Sequence, residues 1–122
     1  MQATKFLILI TLIIGLSTLS FSQKEQKFKN LYNKGVEAQE TGNYSDAVDF
    51  YKKFYLKSNN NIKKLDACYN IGVCYMKLNE CKSAYMYFTK VKKVGDHMHI
   101  DISKYTDLES LYLKAKKCTG QH

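Results

Sequence analysis

Four cysteines, Cys68, Cys74, Cys81 and Cys118, and the run Asp96-His97-Met98-His99-Ile100-Asp101 are the residues whose types could do chemistry. Thiols can ligate a metal, attack a carbonyl or pair with each other. Metal ligation lacks the needed spacing: no Cys-x-x-Cys occurs, and two histidines without a third fixed ligand do not define a site. Nucleophilic catalysis lacks a neighbouring base in sequence, and no glycine-rich phosphate loop or serine elbow appears. The expectation is therefore no enzyme, no metal and no cofactor. Pairing remains, and four cysteines allow three complete pairings. Cys68 and Cys74 fall six residues apart on one helical stretch, a rise of about 9 Å where a bridge tolerates at most about 7 Å between Cα atoms. Cys81 would open one helix and Cys118 close the last, ends that meet if the final helix runs parallel to the helix of Cys68. The expected bridge joins Cys81 to Cys118, while Cys68 and Cys74 act as small buried hydrophobes.

The elements that position these residues are helical. Phe28, Leu31, Gly35 and Ala38 recur at three and four residues, the period of a helix with one buried side. Thr41-Gly42-Asn43 stops it, and Ser45 with Asp46 can cap a second helix to about Lys57 that carries Ala47, Val48, Phe50, Tyr51 and Phe54. Ser58 to Asn61 is a polar break. A third helix, from Asn61 or Lys63 to Leu78, carries Leu65, Cys68, Ile71, Gly72 and Tyr75. A fourth, from Cys81 or Lys82 to about Val94, carries Ala84, Tyr85, Phe88 and Val91. Gly95-Asp96 would end it, and a fifth helix is expected over Ser103 to Cys118, with Leu108, Leu111, Tyr112 and Ala115 on one face. Gly35 to Gly72 and Ala47 to Ala84 share one interval, thirty-seven residues, so one ungapped alignment relates the first hairpin to the second. An internal glycine costs a helix about 1 kcal/mol relative to alanine, so its recurrence calls for a packing reason, here a close helix crossing of Gly72 against Ala84. A period in this range signals stacked repeats.

A different composition precedes the repeats. Phe6 to Leu16 is almost continuously apolar, Lys5 is the one charge before Lys24, and Ser20-Phe21-Ser22 supplies small residues for a signal peptidase. Residues 1–22 read as a secretory signal and residues 23–122 as the mature domain. Eleven strongly apolar residues fall short of the roughly 20 that span a bilayer, so no stable membrane insertion is expected after cleavage, and the product is exported, periplasmic or secreted. The chain of 122 residues carries a formal charge of +8, yet every basic residue is lysine and none is arginine. Without arginine's planar fork for phosphate and guanine edges, the charge reads as solubility and not as nucleic-acid binding.

The frame Cys68, Ile71, Gly72, Tyr75, then Ala84 and Phe88, resembles the tetratricopeptide repeat pattern W-x2-L-G-x2-Y followed by A-x3-F. Gly35, Ala47 and Tyr51 hold the same frame in the earlier copy, with Leu31, Lys34 and Ala38 as looser fits. The chain departs from the family in lacking any proline and in its longer period. The resemblance implies an all-α antiparallel helix-hairpin solenoid of about five helices: one repeat over residues 28–61, a second over 65–98, and a capping helix over 103–118. It also implies a non-enzymatic adaptor that holds a peptide or helical segment of a protein partner in a concave groove. Carried over position by position, that groove takes Tyr32, Val36 and Gln39 from the first copy, Tyr69, Val73 and Met76 from the second, and Leu113 from the cap. The lysine and asparagine clamp that some members use for a terminal carboxylate is absent, since Tyr32, Val36, Tyr69 and Val73 stand near its places. The alternative is a structural, self-associating module or a component of a larger envelope assembly, its groove filled by its own chain or by a second copy.

Overall fold

The computed structural model describes residues 2–120, apart from the side chains at 6, 9 and 12–19. Among these residues the chain forms five α-helices, α1 (Gln2–Glu40), α2 (Tyr44–Lys57), α3 (Asn61–Lys77), α4 (Cys81–His97) and α5 (Leu108–Cys118), and no strand. It divides into two compact units, Met1–Asn30 and Leu31–His122.

In the first unit the helix continues past Ser22, the expected end of the signal segment. No proline interrupts it, so each amide finds the carbonyl four residues back. Leu7, Ile8 and Phe21 are each at least 60 % exposed, and Lys24 Nζ lies 5.9 Å from the Phe28 ring. Among the described residues no helix is long and apolar enough to cross a membrane.

The second unit is a helix-hairpin solenoid. At both hairpin turns the first helix ends by one solution: a left-handed residue closes the last turn and the next amide reaches back five residues. Gly42 (φ 80°) does this after α1, with Asn43 N donating to Ala38 O at 2.8 Å. Asn79 (φ 59°) does it after α3, with Glu80 N donating to Tyr75 O at 2.9 Å. The two positions are one repeat interval apart. The α2 cap is Asn43 and not Ser45, and α3 is capped by Asn60, whose Oδ1 accepts from Lys63 N at 3.0 Å.

Each repeat glycine faces the aromatic residue of its partner helix. A Cβ on Gly72 would stand 2.6 Å from the Phe88 ring, and one on Gly35 2.7 Å from the Tyr51 ring. The atoms nearest Gly72 thus belong to Phe88 and not to Ala84, the residue expected there, since the ring occupies the space the missing side chain leaves. Cys68, Ala84, Phe88 and Val91 are fully buried in one cluster around this contact.

The sequence placed two boundaries differently. Gly95 does not end α4: it is buried within the helix, and a Cβ there would lie 2.5 Å from Ile102 Cγ2. The terminator is His99 (φ 52°), with Ile100 N donating to Gly95 O at 2.9 Å. The fifth helix starts at Leu108, five residues later than expected, because turns over 101–107 use the backbone otherwise. Ser103 N donates to the Asp101 carboxylate at 2.9 Å, which holds that carboxyl below its ordinary range, and Tyr105 N donates to Ile102 O. Helix α5 then runs antiparallel to α4, with Glu109 against Lys92, Tyr112 against Tyr85 and Cys118 bridged to Cys81, the Cα atoms 5.6 Å apart. One repeat interval beyond Gly72 stands Glu109, 63 % exposed, so α5 has no glycine at the position where α1 and α3 carry theirs.

Candidate partner-binding surface

The groove expected from the first helices of each hairpin divides into a filled part and an open part. Tyr32 turns toward α2: its ring meets Tyr51 and Phe54 edge-on at 5.4 and 5.1 Å, and its hydroxyl accepts from Asn70 Nδ2 at 2.9 Å. Gln39 is engaged likewise, its Oε1 accepting from the Tyr51 hydroxyl at 2.9 Å. Burial raises the pKa of both phenols, so they stay neutral donors and acceptors. These two groove positions therefore tie α1 to α2 and α3.

Tyr69 is covered by the chain itself. Tyr105 stacks on it with centroids 4.8 Å apart and planes at 20°, and the Tyr69 hydroxyl donates to the Asp107 carboxylate. The Tyr105 hydroxyl donates in turn to Asp66 Oδ1, and Lys104 Nζ lies 2.6 Å from the same oxygen. Burial first, then the carboxylate acceptors, hold both phenols well above their usual pKa. The connection 102–107 is thus a strap over the N-terminal half of α3, anchored by one stacked ring pair and three charge-assisted hydrogen bonds.

Val36, Val73 and Met76 remain part-exposed, Val36 and Val73 at equivalent positions one repeat apart. Val73 and Met76 pack against the buried cluster of Cys68, Phe88 and Val91 while keeping an outer edge. Leu113 is not packed with them; it is 54 % exposed on α5, whereas its neighbours Leu111 and Tyr112 reach the cluster.

Sequence reasoning missed the roles of Lys104, Tyr105 and Asp107. It placed Tyr105 on a helix that in fact begins at Leu108, which hid its stacking on Tyr69. A stacked pair between residues thirty-six apart leaves no periodic signature. His97 ends α4 and His99 is the left-handed residue after it, so the two do not share an extended strand. Among the described residues no three of His, Cys, Asp and Glu stand together as a metal site. Cys68 and Cys74 are buried free thiols, and burial pushes both up to about 11.

The chain is similar to the photosystem I assembly protein Ycf3 of Prochlorococcus marinus strains MIT 9301 and MIT 9215, 32 % identical to each over 62 residues. That alignment covers 51 % of this chain and 36 % of each relative, so the chain matches about a third of their length. No solved structure matches significantly. Residues 22–116, all of the helical repeat unit but its last few residues, match one family model, and the chain belongs to that family, described as a domain of unknown function (DUF6340).

Proposed function

We propose that the chain is a non-enzymatic adaptor of the tetratricopeptide type, exported from the cytoplasm, that holds a peptide or helical segment of another protein. The observation that carries this reading is the part-exposed apolar strip of Val36, Val73 and Met76, on the first helices of successive hairpins. Side chains half covered by their own core keep little rotamer freedom to lose, so an apolar partner can be buried on them at low entropic cost. Likeness to proteins named for assembly supports a role in holding other proteins. Export is supported by two features: the family match begins at residue 22, beyond the apolar leader, and Cys81 and Cys118 are placed for a bridge of the sort that persists in oxidising compartments.

The partner strip is tested by affinity capture with the full chain against a Val73→Glu/Met76→Lys variant of unchanged melting temperature. Loss of the same captured proteins is expected; an unchanged set overturns the groove. Sedimentation of the chain alone as a dimer that the variant abolishes would assign the strip to self-association. Export is checked by mass spectrometry, which should find mature protein beginning within a few residues of Gln23.

A further inference from the structure

Away from the concave strip, the seam where α2 and α4 both pack on α3 gathers three lysines and three tyrosines. Lys64 and Lys90 lie over the Tyr55 ring, at 5.2 and 4.1 Å from its centroid. Lys52 lies 5.3 Å from the Tyr75 centroid and donates to the Tyr75 hydroxyl at 2.7 Å. Tyr75 and Tyr87 have centroids 5.8 Å apart, which joins the two halves. All six side chains are half-buried.

Neither ion pair among the described residues, Lys92 with Glu109 or Lys104 with Asp66, involves these lysines. Asp49, one turn before Lys52, lends it only a weak attraction. Lys64 and Lys90 are instead held by the Tyr55 ring and Lys52 by the Tyr75 hydroxyl, which partly desolvate them and satisfy only a fraction of their donors. Tyr75 accepts from Lys52 and so keeps its own hydrogen free to donate. Three like charges gathered on one seam raise the local potential and favour an anion that can reach between them.

We propose that this seam is a second docking surface, which takes an acidic polypeptide segment through Lys52, Lys64 and Lys90. Three features select that occupant over other anions. The Tyr55 ring already carries two ammoniums and the Tyr75 and Tyr87 rings pack on each other, which leaves little ring face for stacking bases. No arginine is present to grip phosphates in pairs. The lysines are recessed beside rings, within reach of a flexible carboxylate but not of a flat lipid surface. A second copy of this chain, at +8, is a poor electrostatic match.

The test is fluorescence anisotropy of a labelled oligoglutamate peptide with the full chain at low and physiological salt. Lys64→Glu/Lys90→Glu is compared with Lys114→Glu/Lys117→Glu, which changes charge equally on exposed α5 positions. The seam variant should lose at least about tenfold in affinity and the α5 variant no more than about threefold. Lys64→Gln/Lys90→Gln, a milder pair, serves if the first does not fold, with a loss of the same direction. The Val73→Glu/Met76→Lys variant should retain the lysine-specific difference, which separates this surface from the concave strip. Equal losses in the two lysine pairs, or tighter binding of an oligouridine RNA or anionic vesicles than of the peptide, would overturn the proposal.

Discussion

Gly72→Ala is the most direct probe of how the hairpins close. In a helix interior exposed to solvent the change would stabilise, by about 1 kcal/mol of backbone propensity. Here the new methyl would lie 2.6 Å from Phe88 Cε1 and 2.9 Å from Cδ1. The ring cannot swing away, because Phe88 has no exposed surface and is enclosed by other core side chains. Overpacking of a tight core costs about 1–3 kcal/mol, and a contact as short as this one belongs to the upper part of that range, about 2–3 kcal/mol, which after the propensity gain leaves a net loss of about 1–2 kcal/mol. For a unit of this size each kcal/mol shifts melting by about 4–8 °C, so thermal denaturation followed by circular dichroism should show a drop of about 5–15 °C. Combining Gly72→Ala with Phe88→Leu should cost less than the two separately, with a coupling of about 1 kcal/mol or more. A Gly72→Ala protein that melts at or above the parent temperature, with no coupling to Phe88, would refute the close-approach argument and the repeat alignment built on it.

The remaining predictions concern the cap, the buried thiols and alkaline pH. Cys118→Ala should cost about 2–4 kcal/mol by releasing the end of α5, as should reduction of the parent, and melts with and without reductant check both. Under non-denaturing conditions Cys68 and Cys74 should resist alkylation that labels them after unfolding, since burial holds both thiols near 11 and out of reach. Tyr69 and Tyr105 have folded-state pKa values raised above the ordinary 10.0, so the stability they contribute is complete below that value and declines as pH rises beyond it. Melts across the alkaline range should therefore fall above about pH 10, and less steeply for Tyr69→Phe, which cannot ionise in the unfolded chain.

Much of the fold was legible because repetition is a one-dimensional signal. Gly35 with Gly72 and Ala47 with Ala84 expose the hairpin period, and the apolar spacing around them marks four helices whose neighbours in space are also neighbours in sequence. Local backbone chemistry was legible where it depends on a residue type, as at Gly42. It was not where another residue takes the same role: Asn79 and His99 are left-handed with a Cβ, and Gly95 is buried in the last turn of α4. Of the groove, the position of each residue along its helix could be inferred, but not whether that face stays open.

What the sequence alone determined is the class of architecture and the register of its parts, because helix period and small-residue recurrence are properties of the chain read along its length. Only the tertiary structure decided that the Phe88 ring fills the space at Gly72, that Tyr105 and Asp107 strap Tyr69, and that three lysines converge on Tyr55 and Tyr75. Each is a meeting of side chains whose contact depends on helix rotation and loop path, to within an ångström or two. That precision comes from close packing of the whole core, and no local pattern encodes it.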